Sequence, residues 1–134
     1  MAVYQWTDDL TTGNTMIDTQ HKQLIKAISD LLEACSTGKG RESIEKTIAF
    51  LENYTATHFS DEEKLQVAHK YPDHPNHHQL HEGFKKVVHE IGEQIKKDGP
   101  TVALVGKVNS AIGGWLLIHI KKEDVKVANW VKNN

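Results

Sequence analysis

The stretch HPNHHQLHEGF, from His74 to Phe84, sets four histidines in eleven residues. Imidazoles crowd like this in solvated loops and in metal sites, and the positions around them decide which. His77 and His81 stand four apart, so they share one face of a helix. Phe84, Val88, Ile91 and Ile95 continue that face, which is therefore the apolar one. His58 and Glu62 repeat the spacing in the row Ile44, Ile48, Leu51, Thr55 and Leu65. His21 falls in the row Ile17, Leu24, Ile28, Leu31 and Cys35, and His119 in the row Val105, Val108, Ile112, Trp115 and Trp130. Five imidazoles and one carboxylate are thus directed inward. A single histidine on an apolar face is ordinarily a core residue with one hydrogen bond. Five would need five buried partners, and each polar group left unsatisfied costs roughly 1–3 kcal/mol. A shared metal site satisfies them together. His69, His74, His78 and His89 fit the apolar rows less well and read as solvated surface histidines.

The donor set narrows the metal chemistry. Five histidines and a carboxylate exceed the four ligands of a structural zinc. Cys35 is the only cysteine, which excludes a thiolate site or an iron–sulfur cluster. Imidazole with carboxylate suits iron, copper or zinc. Inward ligands from several helices are the arrangement of di-iron carboxylate bundles, but the ferritin-like Glu-x-x-His motif is absent.

These rows imply four helices. Thr15 with Asp18 has the form of a capping box opening the first, and Gly38 in STGKG is placed to end it. Pro72 in KYPD interrupts after the second, because the residue before a proline leaves the helical region. Asp73 and Pro75 open the third, KKDGP closes it, and the fourth runs on through Trp130. Short joints between helices of similar length imply antiparallel neighbours. The expected fold is all-α, an antiparallel up-down-up-down four-helix bundle in one domain over residues 1–134. Residues 1–14, with Tyr4, Trp6 and Leu10, form an N-terminal arm. Nothing alternates with period two.

Composition bounds the function. Charged residues make up 25% and hydrophobic ones 38%, with net charge −2, so there is no electrostatic footprint for nucleic acid. No apolar run reads as long enough to cross a membrane. MAVYQWTDDL lacks the basic start and apolar core of a signal peptide. A single cysteine suits a reducing compartment, and a cytoplasmic location is expected.

DTQHK around His21, HFSDEE around His58, YP followed by HxxxH at His77 and His81, and WLLIHIKKED around His119 together resemble the hemerythrins, bacterial members most closely. The resemblance runs from about Trp6 to Trp130. It implies a non-haem centre of two iron ions that binds dioxygen reversibly. By resemblance, His77, His81 and His119 hold one iron, His21 and His58 hold the other, and Glu62 and Asp124 bridge them with a solvent-derived oxygen. Bacterial members often carry methionine where this chain reads KLQ; Gln66 is expected to alter packing or polarity there without touching a ligand.

Two six-coordinate irons offer about twelve positions. The five histidines, two bridging carboxylates and bridging oxygen fill all but one, on the iron with two histidines. Leu24, Phe59, Trp115, Leu116 and Ile120 lie within a turn of the ligands and would wall that position. An apolar wall slows the loss of bound dioxygen as a charged product. The expected role is carriage, storage or sensing of dioxygen, without enzymatic turnover, with or without fused signalling domains. A peroxidase or nitric oxide reductase would want a tyrosine or acid at the open position, for which Tyr54 is the candidate. An iron store would want a carboxylate-lined ion path.

One assignment is contested between geometry and resemblance. His119 and Glu123 are roughly 40° apart on a regular helix, His119 and Asp124 roughly 140°. Regular geometry therefore favours Glu123, and the resemblance favours Asp124. A single-turn π-bulge between His119 and Asp124 would reconcile the two, leaving Glu123 towards solvent near Lys121 or Lys122. Gly113 and Gly114 would either admit a close helix approach or loosen the wall.

Overall fold

The computed structural model describes residues 4–38 and 41–134, and of Arg41 the backbone alone. Four helices account for the architecture: α1 (Thr15–Ser36), α2 (Arg41–Ala68), α3 (His74–Asp98) and α4 (Val102–Asn133). The described residues include no strand. The order is the expected up-down bundle, with α1 on α2, α2 on α3, and the first half of α4 against α1 and α3. A short 3₁₀ turn, Asp8–Leu10, precedes it.

The helix ends follow local chemistry. At the start of α1 the cap is Asn14, one residue before the expected Thr15. Its side chain accepts from the Ile17 amide at 3.0 Å. Asp18 turns back instead to accept from Thr12 N, Thr12 Oγ1 and Gly13 N at 2.9, 2.7 and 3.2 Å. Gly38, at φ 70°, takes the left-handed position just beyond the α1 C-cap. The α2 terminus is a Schellman motif. The Tyr71 amide donates to Gln66 O and the Lys70 amide to Val67 O, with Lys70 left-handed at φ 54°. Pro72 then prevents continuation. The motif turns Tyr71 inward, where it is 8% exposed.

The fourth helix is irregular twice. Residues Val108–Gly114 and Ile120–Asp124 are π-helical. The first segment meets the N-terminal arm: the Tyr4 hydroxyl donates to the Asn109 carbonyl oxygen at 2.7 Å. That bond serves a carbonyl in a stretch where the regular ladder is disturbed. A Cβ on Gly113 would lie 2.5 Å from the Tyr4 ring, so this glycine is there for close approach.

An 18-residue window of α4 has mean hydropathy 1.3, long and apolar enough to cross a membrane, contrary to the expectation from sequence. The window scores so because it supplies the bundle core and has few charges; 39% of it is buried here.

The apolar interior has two parts. A large cluster includes Leu24, Ile28, Ile48, Leu51, Phe59, Phe84, Val88, Ile112, Leu116 and Ile120. A small one comprises Ile17, Tyr71, Val127 and Ala128. The predicted ligands occupy the layer between them in the helix order.

Candidate metal centre

His21, His58, Glu62, His77, His81 and Asp124 are fully buried, and His119 is 4% exposed. The chain brings all seven together as two overlapping groups, Glu62, His77, His81, His119, Asp124 and His21, His58, Glu62, Asp124. In the first, His119 Nε2 lies 3.1 Å from His77 Nε2 and 3.3 Å from His81 Nε2. Three imidazole nitrogens converge on one point from two helices.

The two carboxylates join the groups. Asp124 Oδ1 stands 3.1 Å from both His77 Nε2 and His119 Nε2, while Oδ2 is 2.8 Å from His21 Nε2. Glu62 Oε1 is 2.7 Å from His77 Nε2 and 3.4 Å from His81 Nε2, with Oε2 3.6 Å from His58 Nε2. Each carboxylate sends one oxygen to the three-histidine group and one to the two-histidine group. Asp124 reaches this position because the π segment Ile120–Asp124 lies just after His119. The expected bulge is present. Glu123 departs from expectation. Its side chain is only 13% exposed, and its nearest cation is Lys126 at 4.0 Å. Lys121 pairs with Asp9 of the arm instead, at 3.0 Å.

Burial and charge set the protonation of the metal-free cluster. Burial holds His58 down to about 3, reinforced by the charge of His21. Burial likewise lowers His81 to about 4. His77 is buried as deeply, yet its hydrogen bonds to Asp124 and Glu62 outweigh that and raise it to about 9. Asp124 is held well below the carboxylate range: burial opposes ionisation, but His119 together with bonds from His21 and His77 prevails.

The arrangement fits metal ions. Buried carboxylates need a compensating charge, and among the described residues the ion pairs of Glu62 and Asp124 are all with histidine. His58 Nε2 and Glu62 Oε2 are buried without a hydrogen-bond partner, facing the place where cations would lie. Two of the predicted ligand imidazoles are oriented from behind. His58 Nδ1 is 2.7 Å from Gln20 Oε1, whose amide donates to Asp61 at 2.8 Å. His81 Nδ1 is 2.9 Å from Glu63 Oε2. Gln20, Asp61 and Glu63 were missed in the sequence, although each neighbours a ligand in DTQHK or HFSDEE.

Gln66 corrects another expectation. It is fully buried, and its Nε2 lies 3.5 Å from Glu62 Oε1, so it does touch a ligand. One turn separates the two residues, and the spacing carried that signal. Its Oε1 is 2.8 Å from His74 Nδ1. His74 and His78 are accordingly half-buried, whereas His89 is exposed.

Of the predicted wall, Leu24, Phe59, Leu116 and Ile120 are at most 1% exposed. Phe59 stacks on His81 at 3.7 Å, and half-buried Trp115 stacks on His119 at 4.4 Å and on Phe84 at 4.1 Å. Both rings therefore cover the three-histidine group. Tyr54 stacks on half-exposed Phe50 at 5.7 Å. The tyrosine beside the centre is Tyr71, its ring 6.4 Å from that of His77.

Comparison with known proteins agrees with this geometry. The family model for the hemerythrin HHE cation binding domain matches residues 12–131. The chain belongs to the hemerythrin family. The bacteriohemerythrin of Pseudomonas paraeruginosa is 32% identical over the whole chain and 85% of its own length. The myohemerythrin of Theromyzon tessulatum is 29% identical over 92% of this chain and 89% of its own. A crystal structure of a hemerythrin variant superposes with a TM-score of 0.84 at 25% identity, covering 98% of both chains. The cluster is suited to two metal ions, and hemerythrins carry a di-iron centre.

Proposed function

We propose that this hemerythrin binds dioxygen reversibly at a di-iron centre held by His21, His58, Glu62, His77, His81, His119 and Asp124. The observation that carries the reading is the unequal division of ligands. Two buried carboxylates each divide their oxygens between a group of three histidines and a group of two. A metal held by the two-histidine group would have one protein donor fewer than its neighbour, and an open position distinguishes a reactive metal from a structural one. When bound, the two ferrous ions supply the electrons that hold dioxygen.

The chain supplies the rest. Glu62 and Asp124, which belong to both groups, would be shared by the two ions and would offset their charge. Glu63 and Gln20 accept from the Nδ1 hydrogens of His81 and His58 and so present Nε2 inward. Leu24, Phe59, Trp115, Leu116 and Ile120 exclude water, and a charged product leaves poorly through hydrocarbon.

This favours a carrier, store or sensor over an enzyme. Tyr54, the candidate for catalytic work, packs against Phe50, and the near tyrosine, Tyr71, stands against His77 of the three-histidine group. The chain acts as one domain in the cytoplasm, with dioxygen rather than nucleic acid or membrane as its partner, alone or fused to signalling domains. Its single cysteine, buried and free, agrees with a reducing compartment. The test is the visible spectrum of iron-loaded protein, reduced, exposed to air and then purged. A charge-transfer band that appears and disappears over repeated cycles is expected. Steady peroxide release would support the enzyme instead.

A further inference from the structure

A groove of about 590 Å³ runs between α2 and α3 on the outer side of the bundle, and Glu63, His74, His78, Glu82 and Lys85 line it. None of its histidines belongs to the two-metal centre. His74 and His78 are one turn apart, half-buried, with ring centroids 6.2 Å apart. Each ring is tied to α2 through Nδ1: His74 to Gln66 Oε1 at 2.8 Å, His78 to Glu63 Oε1 at 2.5 Å. An imidazole that donates its Nδ1 hydrogen to an oxygen offers the Nε2 lone pair, and oxygen partners of this kind fix metal-binding histidines. The inner ligands His58 and His81 are oriented in the same way. A carboxylate borders the free nitrogen: Glu82 Oε1 is 3.9 Å from His78 Nε2.

We propose that His74, His78 and Glu82 form a second metal site, at the surface, for a divalent transition ion of the kind imidazole and carboxylate prefer, such as Zn²⁺. The outer rings stand 1.0 Å wider than the widest inner pair, 6.2 Å against 5.2 Å for His81 and His119. Binding requires both rings to tilt together across the open groove, each turning about its Nδ1 contact to Gln66 or Glu63. Glu82 exchanges a partner when it binds, because Lys85 Nζ lies 2.9 Å from its Oε1. Both tethers also continue inward. Gln66 reaches Glu62 at 3.5 Å, and Glu63 holds His81 at 2.9 Å. An ion drawing on His74 and His78 therefore acts on residues that position two ligands of the inner centre.

The experiment uses iron-loaded protein titrated with Zn²⁺, with bound zinc and retained iron both counted. One zinc per chain is expected without loss of iron. His74→Ala and His78→Ala should each abolish the added zinc, Glu82→Gln should weaken it, and His89→Ala should leave it unchanged. The proposal is overturned if wild type binds no more zinc than the double variant His74→Ala/His78→Ala, or if zinc enters only as iron leaves. Wild-type protein gives an independent readout by histidine-specific acylation with mass mapping. Zinc should protect His74 and His78; protection confined to His69 or His89 would equally reject the site.

Discussion

Asp124 is the residue on which sequence geometry and family resemblance diverge, and its position explains why. A regular helix would turn it roughly 140° from His119, yet both side chains meet at 3.1 Å. The extra residue in the π turn supplies the missing rotation. Asp124→Ala should therefore lose iron and the dioxygen band, whereas Glu123→Ala should keep both; iron content and the visible spectrum read this directly. The reverse result would return the bridging role to Glu123. Spacing alone made the five histidines and Glu62 legible, because regular helices carry them on apolar rows. It could not reveal Gln20 or Glu63 as supports, since polar residues beside a ligand look like any solvated helix face until the neighbouring helix is in place. Leu24 makes a second test at this scale. It is 1% exposed in the large apolar cluster. Replacing it with Ser should admit water and shorten the half-life of the oxygenated form by autoxidation. An unchanged half-life would remove Leu24 from the wall.

The helices differ in how much of their form the sequence discloses. Apolar periodicity defines α1, α2 and α3, and Gly38 and Pro72 mark their ends. The cap of α1 moved by one residue because Asn14 and Thr15 are both competent caps and Asp18 found donors in the preceding turn. In α4 the π segment over Val108–Gly114 went unforeseen; only the adjacent glycines hinted at it. Its purpose becomes clear with the arm docked. Tyr4 occupies the space beside Gly113 and bonds to Asn109, while its amide donates to Ser29 Oγ of α1 at 2.9 Å. The arm thus straps α4 to α1. Gly113→Ala should push Tyr4 out and destabilise the protein by about 1–3 kcal/mol, the usual effect of overpacking. Urea melts would measure it. A Tyr4→Ala background should absorb most of that penalty, because the clash is with this ring; an equal loss in both backgrounds would place the strain elsewhere.

For the whole molecule, the consequence of setting five imidazoles and two carboxylates between two apolar clusters is a stability that depends on pH and on metal. In the metal-free protein His58 and His81 titrate near 3 and 4, against an ordinary 6.5. Between pH 4 and 6.5 the unfolded chain therefore binds protons that the folded chain refuses, and stability falls as pH falls through that window. His77 works in the opposite direction. Its value of about 9 means that the folded chain holds a proton between pH 6.5 and 9 that the unfolded chain has lost, so that contribution fades as pH rises. Metal-free protein should be most stable near pH 6.5, with each differing proton worth about 1.4 kcal/mol per pH unit. Urea midpoints from pH 4 to 9 would trace the dome, and a flat profile would mean that the cluster is hydrated when metal-free. Iron reverses the upper limb. A ligand must shed its proton before it binds, so loading at pH 7.5 should release the proton held by His77, and iron affinity should increase towards pH 9. Calorimetry in buffers of different ionisation enthalpy counts that proton. Because only the folded chain presents the seven proposed ligands together, the same binding should stabilise the fold by mass action. The gain of iron-loaded over metal-free protein should therefore grow from pH 6.5 towards pH 9, as the proton on His77 ceases to compete with iron.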